Sequence, residues 1–225
     1  MLGSGTLDTM RTRIKVCCIA GTDEAELALS RGADVLGLVS AMPSGPGPIP
    51  DSVIADILGH VDRSVDTFLL TALQSAVAIA ELHRRCPSTG LQLVDAVAPR
   101  ELVQLRELLP ETQLIQVVHV LGPEAVDHAV ACAPFVDAVL LDSGNPLLAV
   151  KELGGTGRTH DWEVSRRIRE SIDRPLFLAG GLNPKNVREA IDLVRPYGVD
   201  VCSGVRSTGR LDLHLLDAFV SAVRA

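Results

Sequence analysis

The chain alternates regularly between short apolar runs and longer amphipathic stretches, with eight of each between residue 14 and the C-terminus. Short apolar runs bounded by turn residues are typical of buried parallel strands, and amphipathic stretches of about ten residues or more are typical of helices. The apolar runs predict strands over 14–19, 35–40, 66–71, 91–95, 114–120, 136–142, 175–179 and 199–203. The amphipathic stretches predict helices over 23–31, 51–59, 74–85, 99–109, 123–131, 161–171, 184–194 and 212–224.

This alternation suits two architectures, an open doubly wound sheet and a closed barrel. A doubly wound nucleotide-binding sheet usually carries G-x-G-x-x-G after its first strand, whereas this chain has Cys17-Cys18-Ile19-Ala20-Gly21 there. The length of 225 residues suits a barrel, because such barrels commonly have about 250 residues. We therefore predict an α/β fold, a single-domain (β/α)8 TIM barrel over residues 14–225, preceded by a flexible N-terminal extension over residues 1–13.

The overall charge and hydropathy of the chain argue against some classes of partner. With 28 acidic and 21 basic residues the net charge is -7, which disfavours a nucleic-acid surface, since neutralising phosphates requires a basic patch. No apolar run approaches the roughly 20 residues that span a bilayer, so no membrane partner is expected. Composition leaves monomer and homodimer equally open.

The five cysteines are odd in number and lack C-x-x-C spacing, and the six histidines lack the spacing of metal ligands. This pattern predicts neither a disulfide framework nor a metal site, and it favours a cytoplasmic location. Isolated cysteines are among the most buried residue types, so most of them are interpreted as core residues. That interpretation applies to Cys18, Cys86, Cys132 and Cys202.

Three glycine-bearing turns follow the last three predicted strands, at 154–157, 180–181 and 203–204. Glycine allows positive φ and a close approach of the backbone to a ligand, so that amide N–H groups can converge on an anion. Any one turn alone would be read as an ordinary tight turn, but three in this order predict a phosphorylated small-molecule ligand. The predicted phosphate-binding residues are Gly155, Thr156, Gly157, Gly180, Gly181, Ser203 and Gly204.

Cys17 and Asp142 are the candidate catalytic residues, because each lies at the carboxyl end of a predicted strand, where barrel active sites form. Alternation places Lys15 and Cys17 on one face of the first strand, and Asp142 on the same face as Leu140. A thiol and a carboxyl facing one substrate can act as general base and general acid, provided that the thiol is ionised. Lys15, one step deeper, is a candidate source of positive potential. An aspartate that ends a strand is alternatively a helix cap or a loop anchor.

Several segments together resemble the phosphoribosylanthranilate isomerases of the tryptophan pathway. In chain order they are Lys15-Val16-Cys17-Cys18-Ile19, Gly32-Ala33-Asp34-Val35-Leu36-Gly37-Leu38-Val39, Leu140-Leu141-Asp142-Ser143, Gly154-Gly155-Thr156-Gly157, His160-Asp161-Trp162, Leu178-Ala179-Gly180-Gly181-Leu182-Asn183-Pro184 and Gly198-Val199-Asp200-Val201-Cys202-Ser203-Gly204-Val205. The set is more specific than any one segment, and the resemblance extends from Ile14 to the C-terminus. It implies a (β/α)8 fold with a phosphate site after the last three strands.

The resemblance also implies an activity, the Amadori rearrangement of an N-(5-phosphoribosyl) arylamine to its 1-deoxyribulose 5-phosphate isomer, without a cofactor. Asp142 matches the general acid that protonates the ribose ring oxygen. Cys17 matches the general base that takes the C2 proton from the resulting iminium. Strand alternation and the resemblance therefore select the same two residues.

The chain departs from the family's pattern at the arylamine end of the site. Gly45-Pro46-Gly47 stands where the family has Ser-Pro-Arg, whose arginine holds the anthranilate carboxylate. Val94-Asp95 stands in place of His-Gly, Arg206 in place of Glu, and Cys18 in place of Gly. Further candidate pocket residues are Lys15, Gln92, Asp95, Arg158 and Arg206, with Arg158 or Arg206 a candidate substitute for the missing cation.

Three functions are compatible with these residues. The first is isomerisation of phosphoribosylanthranilate itself. The second is an isomerase or lyase reaction on a different phosphorylated small molecule, which the altered arylamine end favours. The third is non-catalytic binding of a phosphorylated metabolite. The Pro- and Gly-rich segment 42–50 is interpreted either as a closing lid or as a shaped rim.

Overall fold

The computed structural model describes residues 11–148, 151–153 and 157–225. Eight parallel strands close into a barrel in chain order and a helix follows each of them, so the predicted (β/α)8 fold is confirmed. The strands are β1 (Arg13–Val16), β2 (Val35–Val39), β3 (Asp66–Thr71), β4 (Gly90–Leu93), β5 (Gln113–His119), β6 (Ala138–Asp142), β7 (Leu176–Leu178) and β8 (Gly198–Val201). The helices are α1 (Thr22–Ser30), α2 (Asp51–His60), α3 (Ala76–Arg85), α4 (Pro99–Leu108), α5 (Ala125–Cys132), α6 (Trp162–Ser171), α7 (Val187–Val194) and α8 (Leu213–Arg224). None of the helices in these described ranges combines the length and apolar character that crossing a bilayer requires.

The largest difference from the predicted strand bounds is in β1, which ends at Val16 rather than at residue 19. Cys18 has a left-handed backbone, with φ of 63°, which a β-strand does not accommodate. Of the predicted N-terminal extension, residues 1–10 lie outside the described residues, and Arg13 already belongs to β1. Between β8 and α8 the chain forms a short 3-10 turn, Ser203–Val205, and a small hairpin of β9 (Arg206–Ser207) and β10 (Arg210–Leu211).

Alternate residues along the strands face two separate apolar cores, as expected for a barrel surrounded by helices. On β2, Leu36 and Leu38 pack in the layer between strands and helices, whereas Val35 and Val39 pack in the barrel interior. The sequence therefore reads as apolar on both faces of these strands because both faces are buried.

Aromatic rings fill the interior near the amino ends of the strands. Phe68 and Phe177 pack edge to face with ring centroids 5.8 Å apart, and both are almost fully buried. A Cβ on Gly90 would lie 2.8 Å from Phe68, and one on Gly198 would lie 2.6 Å from Phe177, so the two glycines provide the room for the rings. Burial of each ring contributes about 1.5–3 kcal/mol. With this end closed, the interior opens at the carboxyl ends of the strands.

Candidate active site

An open cavity of about 680 Å³ lies at the carboxyl ends of the strands. This volume includes the solvent-filled mouth of the cavity. The residues that line it and were predicted from the sequence are Cys17, Gln92, Asp142, Gly157, Gly180, Gly181 and Ser203. The cavity thus brings the candidate acid–base pair together with part of the candidate phosphate site.

Lys15 lies beneath the cavity with no solvent exposure, and its Nζ is 2.9 Å from Asp200 Oδ2 on β8. Gly37 on β2 leaves room for this arrangement, because a Cβ there would lie 2.9 Å from both Cys17 Sγ and Lys15 Nζ. Burial opposes the charge of the ammonium group, but the Asp200 carboxylate and the Cys17 thiol outweigh it and raise the pKa of Lys15. Lys15 is therefore a fixed positive charge below the thiol.

The thiol of Cys17 is shifted towards its ionised form. The residue follows β1 directly, and its backbone N–H donates to the Val201 carbonyl at 2.8 Å. A hydrogen bond from Cys18 and the positive charge of the Lys15 ammonium lower the pKa of the Cys17 thiol. Burial raises the pKa, but it does not outweigh them, so the net shift is downward. A lower pKa increases the fraction of thiolate at neutral pH, which is the form that can accept a proton.

The carboxyl group of Asp142 is shifted in the opposite direction. Asp142 ends β6, is buried, and accepts a hydrogen bond from the Ser143 backbone N–H at 2.8 Å. Burial and the nearby Asp200 carboxylate raise the pKa of Asp142. The hydrogen bond from Ser143 and the neighbouring His119 lower it, but burial is the largest effect and the net shift is upward. A carboxyl group with a raised pKa keeps its proton to higher pH and can donate it to a ligand.

The glycine turns after β6, β7 and β8 border one another at the cavity. Gly157, Gly180 and Gly181 have φ of 69°, 81° and 63°, which is the left-handed region that glycine adopts without strain. A Cβ on Gly180 would lie 2.9 Å from His160 Nδ1, and one on Gly157 would lie 3.8 Å from Ser203 Oγ. Gly157, Gly180, Gly181 and Ser203 all line the cavity, so three loops border the same cavity after the last strands.

Gly204, a predicted phosphate-binding residue, is not among the residues that line the cavity. A Cβ on Gly204 would lie 2.0 Å from the Leu182 carbonyl oxygen, so this glycine lets the turn after β8 pack closely on the loop after β7. Two other predicted residues, Gly155 and Thr156, lie outside the described residues.

Asp95 and Arg158 form ion pairs and do not line the cavity, although both were expected there. Asp95 accepts a hydrogen bond from Lys151 Nζ, and Arg158 pairs with Glu152. The Arg158 side chain is 60% exposed. The cavity therefore gains neither an additional carboxylate from Asp95 nor a cation from Arg158.

Arg206 also differs from its expected placement, because it anchors the chain after β1 and does not line the cavity. Its guanidinium lies 3.0 Å from the Glu24 carboxylate on α1. It also donates to the carbonyl oxygens of Cys18 at 2.6 Å and Cys17 at 3.2 Å. Arg206 therefore positions the backbone that carries the two cysteines, and it supplies no cation to the cavity.

The cavity lining also contains side chains that the sequence did not assign to the site, among them Cys18, Asp200 and Cys202. Strand alternation predicts Cys18 on the outer face, but its left-handed backbone places it at the cavity. An acidic residue inside an otherwise apolar strand could have identified Asp200 as a site residue from the sequence. No such sequence feature distinguishes Cys202. Asp200 Oδ1 and Gln92 Oε1 are buried without a hydrogen-bond partner among the described residues, and both oxygens can accept from a ligand.

The Pro- and Gly-rich segment 42–50 forms one wall of the cavity. Ser44, Gly45 and Pro46 line the cavity. Gly47 packs against Cys18, since a Cβ on Gly47 would lie 2.6 Å from Cys18 Cβ. The Ser44 hydroxyl donates to the Lys151 carbonyl, which joins this wall to the loop after β6.

A barrel cavity with a proton-retaining carboxyl, an ionisable thiol and glycine turns after the last strands defines the class of acid–base barrel enzymes that act on phosphorylated small molecules. A family model described as N-(5'phosphoribosyl)anthranilate (PRA) isomerase matches residues 75–222. The N-(5'-phosphoribosyl)anthranilate isomerase of Methanothrix thermoacetophila is 36% identical over 217 residues, which cover 95% of this chain and 99% of the relative.

Solved structures agree with the sequence match. The phosphoribosyl anthranilate isomerase of Thermotoga maritima is 28% identical, covers 95% of this chain and 98% of its own, and superposes with a TM-score of 0.81. Another such isomerase, in complex with reduced 1-(o-carboxyphenylamino)-1-deoxyribulose 5-phosphate, is 26% identical with the same coverage and a TM-score of 0.78. The chain belongs to the PRA isomerase family, which confirms the resemblance in its sequence.

Proposed function

We propose that this chain converts N-(5'-phosphoribosyl)anthranilate to its 1-deoxyribulose 5-phosphate isomer, as a step of tryptophan biosynthesis. The observation that carries the proposal is that Cys17 and Asp142 line one cavity, with the pKa of the thiol lowered and that of the carboxyl raised. The activity named for the Methanothrix thermoacetophila relative supports the choice of substrate. Because the reaction moves hydrogen within one molecule, proton transfers alone can complete it.

Asp142 opens the sugar ring. Its carboxyl group donates a proton to the ribose ring oxygen, the bond from that oxygen to C1 breaks, and the amine lone pair forms the C1–N iminium. The raised pKa of Asp142 keeps the proton available to a higher pH than in an ordinary aspartate. The carboxylate that remains sits beside the positive charge of the iminium, which lowers the energy of the step.

Cys17 then removes the proton from C2. The electrons of the C2–H bond form the C1–C2 double bond and neutralise the iminium nitrogen, which gives an enol that becomes the ketone when C1 is protonated and the C2 hydroxyl loses its proton. The Lys15 ammonium below Cys17 and the hydrogen bond from Cys18 favour the thiolate that starts this step.

The phosphate group is proposed to bind the backbone of Gly157, Gly180, Gly181 and the Ser203 hydroxyl. The positive φ of the three glycines, their place in the cavity lining and their position after β6 and β7 support this assignment. On the sequence pattern alone, we extend the site to Gly155 and Thr156. Gln92 Oε1 and Asp200 Oδ1 are acceptors for the sugar hydroxyls.

A second candidate substrate carries no carboxylate on its arylamine. The charged side chains in the described cavity lining are Asp142 and Asp200, and that lining includes no lysine or arginine. An anthranilate carboxylate would have no lysine or arginine to pair with in this lining, which disfavours its binding. A phosphoribosylated amine without the carboxylate avoids this cost.

Direct turnover of two substrates distinguishes the candidates. The purified protein is offered N-(5'-phosphoribosyl)anthranilate and N-(5'-phosphoribosyl)aniline, with Asp142→Asn as the inactive control for both. Turnover of the first and growth of a tryptophan auxotroph that lacks the isomerase support the main proposal. Turnover of the second alone supports the second candidate, and no turnover of either by folded protein overturns both.

The five free thiols support our assignment of the protein to the reducing cytoplasm.

A further inference from the structure

Three thiols converge at the cavity where β1 and β8 end side by side. Val16 is the register partner of Val201, so the residues that follow both strands leave the barrel together. The Cys202 thiol donates a hydrogen bond to Cys18 Sγ with 2.9 Å between the sulfurs. A disulfide bond is about 2.05 Å long. Cys18 and Cys202 therefore need to move by about 1 Å to bond.

The same three thiols are accessible from the cavity. Cys17, Cys18 and Cys202 all line it, and Cys202 is partly exposed. The other two cysteines lie elsewhere: Cys86 caps α3 and Cys132 ends α5. A small oxidant that enters the cavity would therefore meet this cluster first.

We propose that Cys18 and Cys202 are an oxidisable dithiol that forms a reversible disulfide and so returns an oxidised Cys17 to its thiolate, with a hydroperoxide as the oxidant. The inference rests on the proposed function for the role of Cys17, but the disulfide itself can be detected without substrate. Disulfides in a reducing compartment are usually transient and redox-sensing, which fits a pair that is reduced at rest.

The oxidation proceeds in three balanced steps. The Cys17 thiolate attacks one peroxide oxygen, breaks the O–O bond and becomes a sulfenic acid while hydroxide leaves. The thiol of Cys18, the next residue in the chain, attacks that sulfur, and its proton leaves with the hydroxyl group as water, which gives a bond between adjacent cysteines that strain makes easy to cleave. The Cys202 thiolate attacks Cys18 Sγ, forms the Cys18–Cys202 disulfide and releases Cys17 as thiolate.

The disulfide has a consequence for the proposed base. Once Cys18 is bonded to Cys202, Cys18 no longer has an S–H group. The largest contribution to the lowered pKa of the Cys17 thiol is then lost, and less of Cys17 is thiolate. We expect kcat/KM at neutral pH to fall by about tenfold on oxidation and to recover on reduction with dithiothreitol, because a hydrogen bond to a charged group is lost.

Peptide mapping after oxidation tests the dithiol. The reduced full-length protein is treated with hydrogen peroxide, alkylated and digested with trypsin, which places Cys17 and Cys18 in peptide 16–31 and Cys202 in peptide 189–206. We expect the two peptides to be joined through Cys18, with Cys17 alkylated, and the link to disappear with dithiothreitol. Cys132→Ala is the matched control and keeps the link.

Two variants make the result decisive. Cys202→Ala and Cys18→Gly, of which the second suits the left-handed backbone at that position, should give no link between the two peptides. Cys202→Ala should stop at the bond between Cys17 and Cys18, whereas Cys18→Gly should accumulate irreversible sulfinic acid on Cys17. A link that persists in Cys18→Gly, or sulfinic acid on Cys17 without any link in the unmodified protein, would overturn the proposal. A protein that forms the link but does not turn over phosphoribosylanthranilate would refute the proposed function and leave the dithiol standing.

Discussion

The ammonium group of Lys15 lies 2.9 Å from the carboxylate of Asp200 inside the barrel, where Lys15 has no solvent exposure. The pair joins the first and last strands, because Lys15 and Asp200 are register partners across the closing seam of the barrel. Removing one partner of a buried ion pair leaves an unpaired charge, which is far more costly than removing both.

Lys15→Met should therefore destabilise the fold by about 3–5 kcal/mol, and the double variant with Asp200→Asn should recover part of the loss. Urea denaturation of both variants measures this difference. Lys15→Met should also slow alkylation of Cys17 at neutral pH, because the thiolate loses the nearby positive charge. Equal stability of the single and double variants would contradict the role of the pair.

Cys17→Ser should reduce kcat/KM by about 10²–10⁴-fold, because a serine hydroxyl stays protonated where the thiol ionises. The acidic limb of the pH–kcat/KM profile should lie below the ordinary thiol pKa of about 8.5, since the pKa of Cys17 is lowered. Steady-state kinetics across the pH range provide both values. Cys86→Ser, outside the cavity, is the control that should leave the profile unchanged.

Asp142→Asn should abolish activity and yet stabilise the fold at pH 7. The pKa of Asp142 is higher in the folded state than the unfolded value of about 3.9. The protonated carboxyl therefore contributes its full stability to the fold below about pH 3.9, and this contribution to folding stability is lost as the pH rises through the folded-state pKa. An asparagine mimics the protonated acid, keeps the acceptor for Ser143, and carries no charge to bury.

Thermal unfolding at pH 7 and near pH 3 measures this effect, and the gain should vanish at the lower pH. The exposed Asp173→Asn variant is the control and should shift stability by less than about 0.5 kcal/mol at either pH. A gain of the same size at both pH values would contradict the assigned cause.

Gly181→Ala should destabilise the fold and weaken phosphate binding. Its φ of 63° is strained for alanine, and a Cβ would lie 2.6 Å from the Arg158 carbonyl carbon. Gly209→Ala is a matched control, since φ there is 82° but no atom lies within 4 Å of the added Cβ. We expect a loss of about 1 kcal/mol for Gly209→Ala, a larger loss for Gly181→Ala, and a higher inhibition constant for inorganic phosphate only in Gly181→Ala.

Much of the fold follows from local patterns in the sequence. The bounds predicted for the third strand, 66–71, are those observed for β3, because polar residues and turns flank an apolar run. The placement of Cys17 and Asp142 at the cavity also follows from alternation within single strands. Such features depend on neighbours along the chain, which the sequence displays directly.

The features that could not be predicted depend on partners distant in the chain. Arg206 pairs with Glu24 across 182 positions, and nothing in the sequence around either residue indicates that pairing. Asp95 pairs with Lys151 in the same way. The inward placement of Cys18 depends on one left-handed residue, a conformation that the sequence would signal at glycine but does not signal at cysteine.

The hydrogen bonds from Arg206 to the carbonyl groups of Cys17 and Cys18 link the segment after β1 to the segment after β8. Arg206 and Cys18 are 188 positions apart, so a nascent polypeptide contains both cysteines long before it contains Asp200 and Arg206. The two thiols therefore gain these surroundings only once the segment after β8 has been synthesised.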